Sequence, residues 1–81
     1  MWIHSYTAPD AKCASLLLTF MTMRYGPKFA FRVVVDDGHR LQVMRRDKGY
    51  IQDADRDSLQ TIAYAYCSGY NDTVNPYNPT V

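Results

Sequence analysis

The fold is decided by residues 28–52, KFAFRVVVDDGHRLQVMRRDKGYIQ. Two turn signals, Asp36-Asp37-Gly38 and Asp47-Lys48-Gly49, divide this stretch into three segments that are rich in apolar and basic residues. Short runs of β-branched and aromatic residues bounded by such turns are typical of antiparallel strands joined by hairpins. The stretch therefore predicts three consecutive strands.

The length of each loop determines which side chains share a face of the sheet. A two-residue turn would mix apolar and basic side chains on both faces, whereas a three-residue loop with left-handed Gly38 pairs Val35 with His39. The same rule at Gly49 pairs Arg46 with Tyr50 in a third strand. This register predicts one apolar core face, made of Phe29, Phe31, Val33, Val35, Leu41, Val43 and Ile51.

The opposite face of the predicted sheet is basic and aromatic. Arginine forks bind phosphates or carboxylates, and tyrosine supplies an anchoring or stacking surface. The alternative interpretation is an ordinary solvated face of a half-covered antiparallel sheet. The candidate binding residues on this face are Lys28, Arg32, Arg40, Arg46 and Tyr50.

Two helices flank the strands in the sequence pattern. Thr7-Ala8-Pro9-Asp10 predicts a helix start capped by Thr7, and Gly26-Pro27 predicts its end near Tyr25. The apolar arc of this helix is wider than one sheet face needs, so part of it packs on the second helix or meets another molecule, a second copy included. Apolar residues at helical spacing over residues 59–67 predict a second helix, which begins near Asp53 and closes at Gly69.

The two ends of the chain give weaker signals. Alternation of Trp2, His4 and Tyr6 with Ile3 and Ser5 permits a short first strand. Residues 70–81 contain two Asn-Pro pairs and read as an extended C-terminal tail. Residues 1–81 thus form a single α+β domain. Its order is (β)-α-β-β-β-α, with two helices on one face of a three-stranded sheet, or a four-stranded sheet if the first strand joins.

The order helix, three strands, helix over residues 8–69 resembles the double-stranded RNA-binding domain. Gly26-Pro27 followed by Phe29, Phe31 and Val33 is similar to that family's loop and first strand. The family carries lysines at the start of its second helix to grip phosphates. This chain instead places Asp53, Asp55, Arg56 and Asp57 there, and such a position repels a phosphate backbone. The resemblance therefore concerns topology rather than activity.

Charge and cysteine content restrict the function classes and the compartment. The net charge is only +1, but the local balance is +4 over residues 24–48 and −3 over residues 49–81. The N-terminus lacks the pattern of a signal peptide, and the apolar run of residues 16–23 is too short for a bilayer. Cys13 and Cys67 fall on apolar helical positions and are expected to be free in a reducing, cytoplasmic setting, with a disulfide as the alternative.

No catalytic, metal or cofactor site is predicted. Asp53-x-Asp55-x-Asp57 has the opening spacing of a calcium loop, but Ser58 stands where glycine is needed and Tyr64 where a bidentate glutamate is needed. His4 and His39 have no neighbour at ligand spacing, and the chain contains no glutamate. An enzyme is therefore not expected.

These observations favour a non-enzymatic protein-binding module, an inhibitor or adaptor that uses the basic and aromatic sheet face. Small phage-encoded proteins that block host enzymes or defence complexes have this general style. The alternative is an RNA- or DNA-binding domain that uses the same face, since its positive charges are clustered.

Overall fold

The structure, a computed structural model, describes residues 1–74, with side chains described for residues 1–69. Its elements are β1 (Ile3–Ala8), α1 (Ala11–Tyr25), β2 (Phe29–Val35), β3 (His39–Arg45) and α2 (Asp53–Val74). The strands form one antiparallel sheet in the order β1-β3-β2. The predicted α+β class is confirmed.

The β2–β3 hairpin has the register that the three-residue loop predicts. Val35 lies opposite His39, Phe31 opposite Val43 and Phe29 opposite Arg45. Asp37 and Gly38 both have positive φ angles, of 58° and 117°, and glycine is the residue that tolerates such an angle best. The predicted core face is buried or half-buried except at its end, where Val35 is 73% exposed.

The prediction of a third strand after Gly49 is wrong for the described chain, in which Tyr50 and Gln52 belong to no strand. Here Lys48, not Gly49, takes the left-handed conformation, with a φ of 66°. The Asp47 carboxylate accepts the Gly49 N–H at 2.8 Å. This closed turn leads the chain towards α2 instead of back along β3, so Arg46 and Tyr50 do not pair.

The N-terminal strand takes the place of the missing one. β3 is the central strand, and β1 occupies its second edge, with Ile3 opposite Val43 and His4 opposite Gln42. A sheet built in this way differs from the three consecutive strands of the double-stranded RNA-binding domain. The resemblance to that family therefore does not extend to the strand order.

β1 contains a bulge between His4 and Tyr6, which buries Ser5 and turns Tyr6 to the same face as Leu41. The strand continues through Thr7 and Ala8, so Thr7 does not cap the first helix as predicted. Asp10 does, because its carboxylate accepts the Cys13 N–H at 2.7 Å. The helix consequently begins at Ala11 and ends, as predicted, at Tyr25.

Both helices pack on one face of the sheet, called here the inner face. The core unites residues of both helices with the apolar side chains of the strands and the Ile51 side chain, which is buried as predicted. Its buried members are Ala8, Cys13, Ala14, Leu17, Met21, Phe29, Leu41, Val43, Ile51, Leu59, Ala63 and Cys67.

A disulfide between Cys13 and Cys67 joins α1 to α2 across this core, with the two Cα atoms 6.3 Å apart. The expectation of free cysteines is therefore wrong. Two inward positions on facing helices satisfy the spatial requirement of a disulfide, which spacing along the chain did not reveal. The argument from free cysteines to a reducing compartment no longer holds.

The second helix is longer than its sequence pattern suggests. It passes Gly69, where closure is predicted, and continues to Val74, so residues 70–74 are helical rather than extended. The rest of the predicted tail, residues 75–81, lies outside the described residues. Over residues 1–74, no helix is long and apolar enough to cross a membrane.

Candidate binding surface

The face of the sheet opposite the helices, called here the outer face, is left uncovered by residues 1–69. The alternation of side chains along paired strands decides its members. Gln42 on the central strand lies between His4 of β1 and Arg32 of β2. The face comprises Trp2, His4, Thr7, Ala30, Arg32, Val34, Arg40, Gln42 and Met44.

A cluster of three side chains, Trp2, Arg32 and Gln42, occupies the middle of the outer face. The Arg32 guanidinium carbon lies 4.4 Å from the centroid of the Trp2 ring. The Arg32 Nε donates a hydrogen bond to the Gln42 Oε1 at 2.7 Å. Because β3 separates β1 from β2, Arg32 extends across the central strand to reach Trp2.

This cluster holds the Arg32 side chain in place on the surface while its terminal N–H donors remain free. Stacking on an indole and one hydrogen bond restrict the rotamers of Arg32, while the side chain stays exposed. Among the described residues, its terminal Nη atoms have no hydrogen-bond acceptor. A planar fork of free N–H donors held over an aromatic ring is suited to bidentate recognition of a carboxylate or phosphate.

Arg40 is the second predicted site residue on the outer face. Its position on β3 is diagonal to Arg32 on β2, a spacing of about 7 Å between backbone positions. The Arg40 Nη2 lies 3.9 Å from the Asp37 Oδ2 in an exposed ion pair. Arg40 therefore borders the cluster, with part of its charge compensated.

Lys28 and Arg46 lie at the end of the sheet rather than over the outer face. The Lys28 Nζ lies 4.0 Å from the Asp55 Oδ2 at the start of α2 and 5.5 Å from the centroid of the Phe29 ring. The Arg46 Nε donates a hydrogen bond to the Gly26 carbonyl. Both side chains thus make contacts at the end of the sheet, Lys28 with α2 and Arg46 with the residue that follows α1.

Tyr50 belongs to no strand, so the sheet register does not place it on the outer face beside Arg32. Its side chain is 75% exposed. It lines a small cavity of about 100 Å³ together with Ile3, Ile51 and Asp53. Ile3 and Ile51 belong to the inner side of the sheet. Of the five predicted site residues, the structure keeps only Arg32 and Arg40 on the outer face.

Sequence reasoning missed the part that Trp2 plays. The alternation of Trp2 and His4 already indicated a strand, but not which neighbour the strand would have. Assigning the free edge of β3 to a strand after Gly49 left β1 only the margins of a four-stranded sheet, away from β3. Recognising β1 as that partner would have placed Trp2 on the same face as Arg32 and Gln42.

Electrostatics around the sheet are more balanced than the count of basic residues suggests. Among the side chains of residues 1–69, three cations form ion pairs with aspartates: Lys28 with Asp55, Arg40 with Asp37, and Arg45 with Asp47.

Two groups near the sheet, within the part of the chain whose side chains are described, have shifted pKa values. The Gly49 N–H and then the Arg45 guanidinium, which donate to the Asp47 carboxylate, lower its pKa. Burial, and secondarily the neighbouring Tyr64, raises the pKa of Tyr6. Neither group belongs to the outer face.

Metal-ligating side chains are dispersed in the described part of the chain. No three histidine, cysteine, aspartate or glutamate side chains in that part of the chain come together to hold a metal ion. Comparisons of the chain with protein-family models, with curated proteins and with solved structures each find no match.

Proposed function

We propose that the chain is a protein-binding module, an inhibitor or adaptor, whose partner docks on the outer face of the sheet. The observation that supports this proposal is the Trp2–Arg32–Gln42 cluster on a sheet face that no described helix covers. Tryptophan and arginine are among the residues that contribute most to protein interfaces when truncation is measured. The cluster joins one of each.

Preorganisation strengthens this argument. A binding site loses free energy when flexible side chains become ordered on association. Arg32 is held by the Trp2 ring and by Gln42 before any partner arrives. We expect the partner to present a carboxylate to the free Nη atoms and an apolar group beside the Trp2 ring, with Arg40 and His4 at the rim.

Charge compensation favours a protein partner over a nucleic acid. Non-specific binding to RNA or DNA depends on several lysines and arginines that neutralise phosphates together. Here Lys28 and Arg40 are paired with aspartates, and Arg46 donates to a backbone carbonyl. A single fixed arginine beside a tryptophan suits one directed contact better than a charged track.

The test is co-purification of partners with the full chain and with two pairs of matched variants. The affinity tag belongs at the C-terminus, because an extension at Met1 would adjoin Trp2. Arg32→Ala is compared with Arg24→Ala, an exposed arginine on α1. Trp2→Ala is compared with Tyr64→Ala, an aromatic residue of α2 that is 62% exposed.

We expect the wild type and the two helix variants to retain the same stoichiometric partner, and Trp2→Ala and Arg32→Ala to lose it. Truncation of a central anchor costs about 2 kcal/mol or more. Loss of the partner in Arg24→Ala instead would move the site to the exposed surface of α1. Retention of RNA or DNA, weakened steeply by salt, would support the nucleic-acid alternative.

A further inference from the structure

The open edge of β2, the side that faces away from β3, is the longest regular stretch of strand backbone without a hydrogen-bonded neighbouring strand in the described chain. The strand order β1-β3-β2 places β2 at one margin of the sheet. β2 has seven residues, FAFRVVV, and pairs with β3 without a register shift. β1, at the other margin, is interrupted by its bulge. Bulges discourage further strand addition, whereas a regular apolar edge favours it.

The hydrogen bonds at the ends of the hairpin identify the backbone groups of β2 that point to its open edge and not to β3. The Arg46 N–H donates to the Lys28 carbonyl at 3.1 Å, and the Asp36 N–H donates to the Gly38 carbonyl at 3.0 Å. Residues that exchange hydrogen bonds alternate along an antiparallel pair. The even-numbered residues of β2 therefore bond to β3, and the odd-numbered ones direct their N–H and C=O groups to the open edge. These are Phe29, Phe31, Val33 and Val35.

We propose that a second copy of this chain docks on this edge, with the two β2 strands antiparallel and the two-fold axis at Arg32. Phe29 then lies opposite Val35 of the second copy, and Phe31 opposite its Val33. In this register, all four residues whose backbone groups point to the open edge exchange hydrogen bonds with the second copy. An axis at Phe31 or Val33 would leave one of the four without a partner, so the backbone geometry selects Arg32.

The side chains are complementary in the same register. Lys28 lies opposite Asp36 of the second copy, so each end of the new pair joins opposite charges. Val35, which is 73% exposed in one chain, lies opposite the buried Phe29 of the other and loses part of this exposure. The Lys28–Asp55 contact at 4.0 Å is long and exposed, and such pairs contribute little that would oppose this exchange.

The one unfavourable pairing in this register is Arg32 against Arg32. Each Arg32 extends away from the edge, across β3 to Gln42 and Trp2. The two guanidinium groups therefore diverge instead of meeting at the axis. The product is a continuous six-stranded sheet with two Trp2–Arg32 clusters on one face. This inference does not depend on the proposed function.

Cysteine cross-linking tests the register directly. Residues directly opposite in a non-hydrogen-bonded antiparallel pair have Cα atoms about 4.5 Å apart, which a disulfide spans. Arg32→Cys meets its own copy at this distance. Val34→Cys, on the same strand and face, lies about 14 Å from its copy, because four residues separate it from its own equivalent.

We expect Arg32→Cys to form a covalent dimer under mild oxidation on a non-reducing gel, and Val34→Cys to remain a single chain. A mixture of Ala30→Cys and Val34→Cys should give the mixed dimer, because these two positions lie opposite each other in the proposed register. Equal cross-linking of Arg32→Cys and Val34→Cys, or cross-linking of neither, would overturn the proposal.

Sedimentation of the unmodified chain provides a measurement that leaves the Arg32 cluster intact. The wild type should show a reversible monomer–dimer equilibrium. Val35→Lys should weaken dimerisation about tenfold or more, because it places a charge opposite Phe29. Met23→Lys, the same kind of change on α1 at a side chain that is 80% exposed, should leave dimerisation unchanged.

Two results contradict dimerisation through the β2 edge. A wild type that stays monomeric up to about 1 mM has no such interface of useful affinity. A dimer that is weakened by Met23→Lys but not by Val35→Lys would use the apolar surface of α1, the alternative that the sequence suggested.

Discussion

The two faces of the sheet are made from the same three strands, yet they differ in what determines them. The inner face is closed by both helices and a disulfide, and its apolar side chains follow from the alternation within β2 and β3. The outer face is open, and its central cluster depends on β1 reaching β3 from the far end of the chain. The local sequence pattern determines the inner face, whereas the long-range pairing of β1 with β3 determines the outer face.

This difference predicts that stability resides on the inner face and recognition on the outer face. A substitution on the inner face should lower the free energy of unfolding. A substitution on the outer face should change binding with little effect on unfolding. Four comparisons sharpen this contrast, beginning with the largest expected change.

Loss of the Cys13–Cys67 disulfide should have the largest effect on stability. The bond closes a segment with a sequence separation of 54, and the chain-entropy model assigns about 4 kcal/mol to a closure of that length. Urea unfolding with and without a thiol reductant measures this difference. The double variant Cys13→Ala/Cys67→Ala should not respond to the reductant, and an unchanged transition in the reduced wild type would show that the bond does not stabilise the fold.

A deletion in the core should rank next. Leu17 is fully buried under the sheet, while its neighbour Leu16 is 39% exposed on the same helix. Leu17→Ala should cost about 3 kcal/mol of unfolding free energy, because it creates a cavity in a close-packed region. Leu16→Ala should cost less than about 1 kcal/mol. Similar losses in both variants would mean that α1 does not present Leu17 to the inner face.

Truncations in the outer cluster should have a smaller effect on stability. Arg32→Ala removes a side chain that is exposed and makes one hydrogen bond to Gln42. We expect the free energy of unfolding to fall by less than about 1 kcal/mol. A loss as large as that of Leu17→Ala would show that the cluster is structural and would weaken the proposed binding role.

The smallest effect concerns Asp47 in the turn after β3. Hydrogen bonds from the Gly49 N–H and the Arg45 guanidinium lower the pKa of Asp47 below the ordinary value of 3.8. A depressed pKa means that the carboxylate stabilises the fold above pH 3.8, and that this contribution declines as the pH falls through the folded-state pKa.

An NMR titration of the Asp47 carboxyl carbon measures this pKa directly. In Arg45→Gln the pKa should rise towards the ordinary value, and Asp47→Asn should remove the corresponding part of the acid sensitivity. A normal pKa for Asp47 in the wild type would contradict the closed turn that replaces the predicted third strand.

The sequence was sufficient to predict the hairpin register and the core face of its strands, because the relevant signals are local. The alternation around Leu41 and Val43 and the glycine at position 38 define a register without reference to the rest of the chain. The pairing of β1 with β3 was not predictable in this way. It depends on which segment occupies the second edge of β3, and β1 lies more than 30 residues from β3 in the sequence, where no local pattern reaches.

The same difference between local and long-range signals explains why only part of the predicted site lies on the outer face. Arg32 and Arg40 lie within the hairpin, so their common face followed from its register. Tyr50 and Arg46 lie beyond it, and their positions required a strand that does not form. Trp2 joined the cluster only through the pairing of β1. The Cys13–Cys67 bond likewise depends on how two helices face each other in space.

The central claim is that partners bind the outer face, and oxidative footprinting of the partner-bound chain tests it most directly. Methionine is readily oxidised where it is exposed, and the chain carries Met44 on the outer face and Met23, which is 80% exposed, on α1. The claim predicts that the partner protects Met44 and Trp2 while Met23 is oxidised as in the free chain. Protection of Met23, with Met44 and Trp2 unchanged, would contradict it.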